Sequence, residues 1–301
     1  MRAIALVLPS DAAFSHLTAA RLHGWPLSYA MEEDNRLHVV RPIERAHIRR
    51  TGVVGHRNLH PREFVTLCGL PAVGAADTWV DLGELVGRGK PVGLDDLIVA
   101  GDAAVALLGS VAPLRAAVAR RVRPRGKRTM LEAIPWIRVG SASARETTAR
   151  LMLVRSGLPE PRLNRPIFAS WDPDLLLAVG DLVWEHSLAN GTLVKVIGEY
   201  QGAEWHSTDD QRRRDGIRRQ GLENDGWVVE EIWNEDMSTT DARHGTVRRF
   251  AGALCVPEDL LDLQASEPRF FSRHAVEVAL QRDALQGLRH ASPYPSADGR
   301  C

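Results

Sequence analysis

Two acidic side chains set the chemical question. In the stretch GDLVWEHSLANGTLVKVIGEYQGAEWHS, residues 180–207, Asp181 heads one apolar run and Glu199 stands at the foot of the next, with Asn190-Gly191 between them. Two carboxylates brought together at the ends of neighbouring strands form the donor set that a hard divalent cation such as Mg²⁺ prefers, since such ions take oxygen ligands and keep several waters. Left apart, the same residues are ordinary charges at strand ends. The register of the hairpin decides between the two.

A two-residue turn at Asn190-Gly191 pairs Asp181 with Tyr200 and puts Glu199 on the other face, so the acids never meet. A three-residue loop, Ala189-Asn190-Gly191, with Gly191 in the left-handed region as a bulge, shifts the register by one. Glu185 then faces Lys195, Val183 faces Ile197 and Asp181 faces Glu199, all on one side of the sheet. Opposed carboxylates roughly 5 Å apart repel unless something positive lies between them, which a divalent cation supplies. A slip, or a further bulge at Gly198, leaves both acids solvated instead.

The elements that must position these residues fall into two groups. With 301 residues the chain exceeds what one core usually organises, and 44% apolar with 25% charged residues is the balance of a folded protein, so two domains are expected. The first, residues 1–140, reads as mixed α/β passing into helix. A short helix over 15–24 has Ser15 as cap and Gly24 as stop; strands follow at RLHVVRP and GVVGHR, and the span from about 75 to 135 is mainly helical. RRVRPRGKR, residues 120–128, is either a solvated loop or a phosphate contact.

The second domain, residues 141–255, opens on a helix whose Ser143 and Glu146 have capping-box spacing. The hairpin follows, then a charged helix from Thr208 to Asp225 and the strand WVVEEIW. Residues 256–301 read as a helical extension, with helices at PEDLLDLQ and HAVEVALQRDALQGL, and a frayed tail.

The bulk numbers exclude little about partners. Basic and acidic residues balance at 38 each, and a local patch matters more than that total. Only Lys90, Lys127 and Lys195 are lysines. Three cysteines, Cys68, Cys255 and Cys301, form neither a CxxC pair nor a disulfide scaffold, which fits a reduced cytoplasm. The opening apolar run is too short for a signal peptide and no apolar stretch is long enough to span a bilayer, so a cytoplasmic protein without a membrane partner is expected.

Asp181 followed by Glu199-Tyr200-Gln201 resembles the D…(E/Q)-x-K pattern of the PD-(D/E)XK nuclease superfamily, in its Vsr-like (very short patch repair) branch. Glu146 on the early helix, Gly202 and His206 after the hairpin, and RRRDGIRRQGLENDGWVVEEIW match that branch in order, over roughly residues 141–240. The resemblance implies a restriction-endonuclease-like mixed sheet flanked by helices and an Mg²⁺-dependent DNA endonuclease, with Mn²⁺ as a possible substitute. It assigns metal binding to Asp181 and Glu199, with the Tyr200 or Gln201 carbonyl as a third ligand. His206 would position water or the leaving oxygen, and Arg213, Arg214 and Arg218 would meet phosphates; RNA is not excluded as substrate.

Position 201 is glutamine where the motif often ends in lysine, so it can orient water but brings no charge. Lys195 stands about 13 Å along the strand from Glu199 and is no easy replacement. Glu146 reads equally as a helix-capping side chain, His206 as a surface residue and His186 as structural on the face opposite Asp181. Asp215 resembles the family's helix aspartate, yet it can also pair with Arg218 or Arg219 one turn on.

In the first half, AFSHLTAARLHGWPL, LHVVRP and GVVGHR resemble the central portion of AbiEi-type antitoxin and regulator proteins, without room for a complete winged helix ahead of residue 15. This half implies either DNA binding or a toxin or regulatory protein partner. The rivals to a nuclease are a nucleic-acid-binding regulator whose nuclease fold has lost catalysis, and a structural or partner-binding protein.

Overall fold

A computed structural model describes residues 1–202 and 209–270, the side chains of residue 2 and of residues 209–215 excepted. The predicted helix at 274–288 lies outside the described residues. Two mixed sheets flanked by helices make up the rest.

The first half contains α1 (Arg2–Ala5), β1 (Ala13–Phe14), α2 (His16–Leu22), α3 (Tyr29–Glu32), β2 (Leu37–Pro42), β3 (Val53–Asn58), β4 (Phe64–Leu67) and β5 (Leu70–Val73). Its sheet has the order β3-β2-β1-β5-β4, with β2-β3 and β1-β5 parallel and the other pairs antiparallel. Ser15 precedes α2, and Gly24, just past its end, has a φ of +72°, the left-handed position a glycine takes at low cost.

Helices α4 (Ala75–Gly83), α5 (Leu94–Leu108), α6 (Ala112–Arg120) and α7 (Lys127–Ala133) complete this half. They bury Trp79, Val80, Leu97, Ile98 and Leu114, and the Trp79 indole donates to the Leu97 carbonyl at 2.8 Å, so the largest core side chain leaves no polar atom unpaired.

Beneath this core runs an ion network. Asp81, fully buried, accepts from Arg62 at 2.9 Å and from Arg121 at 2.8 Å, while Arg121 also reaches Glu84 and Asp77. The basic run 120–128 is therefore not uniformly solvated: Arg121 is buried against acids of α4, Arg120 reaches Asp77 with its side chain half in solvent, and Lys127 and Arg128 begin α7.

The second half contains α8 (Ala144–Arg155), β6 (Arg162–Ala169), β7 (Asp172–Ser187), β8 (Leu193–Tyr200), α9 (Asp209–Asn224), β9 (Val228–Ile232) and α10 (Thr240–Ala253). The sheet order is β6-β7-β8-β9, antiparallel except for β8-β9. Strand alternation divides its two faces. Leu182, Trp184, Val194, Val196 and Ile232 pack with α8 and α10; Val183, Ile197, Val229 and Trp227 pack with Leu222 of α9. Gly198 lets Phe250 of α10 approach, since a Cβ there would sit 3.0 Å from the Phe250 ring.

Helix α8 serves both cores. Leu151 belongs to the first cluster and Ala149, Met152 and Leu153 to the second. On the first-half side Arg150 donates to Asp102 at 3.0 Å, Thr147 donates to the same carboxylate at 2.8 Å, and Arg155 pairs with Asp95 at 2.7 Å.

Residues 257–264 do not form the predicted helix but two short 3₁₀ turns, Glu258–Leu260 and Leu263–Ser266, the second capped by Asp262. Leu261 and Leu263 pack against the second core, so a contact requirement overrides helical propensity there. Among the described residues no single helix is long and apolar enough to cross a membrane. Cys68 and Cys255 are free and exposed.

Candidate functional site

The hairpin adopts the three-residue loop. Gly191 has a φ of +84°, its amide donates to the Leu188 carbonyl at 2.9 Å, and the Leu188 amide donates to Thr192 at 2.8 Å. Leu182 pairs with Gly198, Val183 with Ile197 and Glu185 with Lys195. Asp181 and Glu199 consequently share the α9 face. Asp181 also accepts a hydrogen bond from the Tyr200 amide at 2.9 Å, which ties its carboxylate to the end of β8.

Parallel pairing of β8 with β9 adds a third acid, because Glu231 stands opposite Glu199. Helix α9 answers with two arginines. One Arg218 guanidinium nitrogen lies 2.6 and 2.7 Å from the two Glu199 oxygens, and Arg219 donates to Glu231 at 2.9 Å. These five side chains, with Gln201, line an open cleft of about 540 Å³.

Electrostatics single out Asp181. Burial pushes its carboxyl up to about 6, and the Glu146 and Glu199 carboxylates push the same way against the Tyr200 amide and Arg218. Glu199 is also raised, first by burial and further by Glu231, with Arg218 opposing. Among the described residues, Asp181 is the cleft acid without an arginine hydrogen bond, and a cation placed beside it would relieve most repulsion.

Glu146 lies close enough to contribute to that field while holding structural bonds. Its amide donates to Ser143 Oγ at 3.1 Å, and its carboxylate accepts from the Ala142 amide at 2.9 Å and from Asn164 at 2.7 Å. Both sequence readings of this residue thus have a physical counterpart. Gln201 lines the cleft and donates its amide to the Ile232 carbonyl at 2.9 Å. His206 and the side chains of Arg213, Arg214 and Asp215 lie outside the described residues.

His186 pairs with Val194 away from the acids. Lys195 is committed elsewhere: its ammonium contacts the Asp225 carbonyl at 3.0 Å and sits 5.4 Å from the Trp227 ring. Among the described residues, the three carboxylates do not gather into a set whose oxygens all approach within 4.8 Å; the group that does gather so tightly is His16, His38 and His56.

Glu231 and Arg219 escaped the sequence reading. The alternation in WVVEEIW places Glu231 on the face of Val229, but the parallel register that sets it beside Glu199 depends on a helical crossover with no countable turn. The histidine cluster escaped because its members are about twenty residues apart on three elements.

No family model matches the chain, and no solved structure matches it. Two curated proteins of Mycobacterium tuberculosis are similar over 143 residues at 29% identity: the uncharacterized protein MT2308 of strain CDC 1551 / Oshkosh and the uncharacterized protein Rv2248 of strain H37Rv. The match takes in 45% of this chain and 49% of each relative, so the chain spans about half the length of the curated relatives it matches.

Proposed function

We propose that residues 141–255 form a restriction-endonuclease-like unit of Vsr-like type and that the protein is an Mg²⁺-dependent DNA endonuclease hydrolysing phosphodiesters. The observation that supports this most is the field at Asp181, a half-buried carboxyl raised to about 6 by partial burial and by two neighbouring carboxylates at the rim of an open cleft. Such crowding is unfavourable in a merely structural site and is relieved by a cation.

Asp181 and Glu199 would hold the metal, with the Tyr200 carbonyl as a further oxygen donor. The ion, once bound, lowers the pKa of a coordinated water and stabilises developing phosphate charge. Gln201 would orient that water by hydrogen bonding. Arg218 pairs with Glu199 and, with Arg219, lines the cleft wall, where either planar guanidinium would be suited to bidentate contact with a phosphate. Arg213, Arg214 and His206 keep the roles the resemblance implies. The first half, antitoxin-like in sequence, would place the nuclease unit on its substrate or partner.

The test is nicking of plasmid or mismatched duplex with Mg²⁺ or Mn²⁺, against Asp181→Ala. Cleavage by the wild type and its loss in the variant are expected; an undiminished rate in the variant defeats the reading. One observation favours a second reading, a nucleic-acid-binding regulator without catalysis: Glu199 already has a counter-ion and Lys195 is held by Asp225. Salt-dependent DNA binding without metal-dependent turnover would select it.

A further inference from the structure

The densest group of potential metal ligands among the described residues lies in the other half of the chain. His16 at the start of α2, His38 in β2 and His56 in β3 bring one ring nitrogen each to within 4.8 Å of the others. Pairing of β2 with β3 and of β2 with β1 brings these elements together. His16 and His38 are buried, at 1% and 2% exposure, and His56 is half-buried at the wall of a cleft of about 610 Å³.

We propose that His16, His38 and His56 form a binding site for a borderline transition-metal ion of the Zn²⁺ class, separate from the carboxylate site, with its fourth position open to the cleft. Imidazole nitrogens suit Zn²⁺, Cu²⁺ or Ni²⁺ and not Mg²⁺, which prefers oxygen. Three protein ligands with an open position are the arrangement of exchangeable zinc centres.

The surroundings have what such a site requires. His38 Nδ1 and His56 Nε2 face each other at 3.0 Å, hydrogen-bond distance, with the donor set by the tautomers of the two rings. His38 Nε2 is buried without a hydrogen-bond partner, yet it points into the neighbourhood of Asp34, whose Oδ2 is 3.5 Å away. His16 Nδ1 is held by Ser15 Oγ at 3.0 Å with Asp81 Oδ2 at 3.7 Å, and that Asp81 oxygen has no hydrogen-bond partner either. Metal-bound imidazoles hand their second N–H to a carboxylate or hydroxyl in this way, which fixes the tautomer and increases donor strength.

With the proton on His38 Nε2, directed at Asp34, Nδ1 is free for the ion; with the proton on His16 Nδ1, Nε2 is free. Both changes are tautomer shifts of neutral rings and release no proton. The His16 and His56 rings stack at 3.6 Å between centroids, and sharing an ion requires the half-buried His56 ring to turn out of that stack. The positive charge of Arg62 and Arg121 nearby is offset by Asp81, which meets both, together with Asp77 and Glu84, which also meet Arg121.

The full-length protein, stripped with chelator and dialysed, would be titrated with Co²⁺ and with Zn²⁺ in competition with a chromophoric chelator. One equivalent of Co²⁺ with the intense visible bands of four-coordinate cobalt is expected, displaced by Zn²⁺. His56→Gln should lose that equivalent, Asp34→Asn should weaken it by about 10- to 100-fold, and Asp181→Asn should keep it. Circular dichroism controls for folding; if His56→Gln does not fold, the conservative Asp34→Asn decides alone. Wild-type stoichiometry and affinity in both His56→Gln and Asp34→Asn, or no bound equivalent in the wild type, overturns the proposal. Loss of the equivalent in Asp181→Asn would assign the ion to the acidic cleft instead.

Discussion

Arg218 holds both carboxylate oxygens of Glu199 with a single guanidinium nitrogen, at 2.6 and 2.7 Å, in a cleft where Glu231 is met by Arg219 and where Asp181 has no arginine hydrogen-bonded to it among the described residues. This geometry makes Arg218 the counter-ion of Glu199 at the cleft wall. Arg218→Gln is expected to reduce DNA affinity uniformly across sequences and to lower the salt slope of binding by about one unit. Fluorescence anisotropy at several salt concentrations measures both, and an unchanged slope removes Arg218 from the phosphate contacts.

Asp181→Asn should stabilise the protein at pH 7. The folded carboxyl titrates near 6 against an ordinary value of 3.8, so between about pH 4 and 6 the folded state binds more protons than the unfolded state. Its contribution to stability therefore falls as pH rises through that window, and the full penalty is present at pH 7. After discounting for solvent screening the gain is on the order of 1 kcal/mol, or roughly 2–4 °C in Tm. Thermal unfolding should show this gain at pH 7 and not at pH 4.

Metal-dependent cleavage should have an acid limb set by the same group. In the proposed nuclease, a proton on Asp181 below about pH 6 would compete with the cation. The rate at fixed, subsaturating Mg²⁺ is expected to fall about tenfold per pH unit, and its midpoint to move to lower pH as Mg²⁺ is raised. A midpoint insensitive to Mg²⁺ concentration would mean that the titrating group is not a metal ligand.

Arg121→Met should be far more damaging than Arg120→Met. Arg121 is buried at 2% exposure against Asp81 and Glu84, whereas the Arg120 side chain is half in solvent beside Asp77. Without Arg121, Asp81 keeps only Arg62 and Glu84 loses its guanidinium, a break in a buried network that costs about 3 kcal/mol, whereas losing the half-exposed Arg120 contact costs up to about 1 kcal/mol. Urea denaturation midpoints separate the two outcomes.

The hairpin was readable from sequence because Asn190-Gly191 marks the turn and the apolar alternation on either side leaves few registers, one of which pairs Glu185 with Lys195. Helix α8 was readable from its cap, Ser143, whose side chain accepts from the Glu146 amide, and α2 from Ser15 at its N-cap position and Gly24 past its end, although the Ser15 side chain makes no capping bond. Strand β6 was not: RLNRPIFA lacks alternation and contains Pro166, which is tolerated because β6 is an edge strand. Two-residue β1 is too short for any pattern, and α10, with polar residues scattered through its buried face, shows little helical periodicity. Long-range pairings that no turn announces account for Glu231 and for the three histidines.

The double allegiance of α8 sets where the chain can be divided. A fragment beginning at residue 141 would carry Arg150, a guanidinium sealed from water, without the Asp102 carboxylate that neutralises it, and would leave Leu151 facing solvent. Its counterpart ending at 140 would keep Asp102 and Asp95 with no arginine from α8 to meet them. The hinge between the halves is thus a shared beam: each half, cut free, inherits one end of a severed charge pair and loses a wall of its interior.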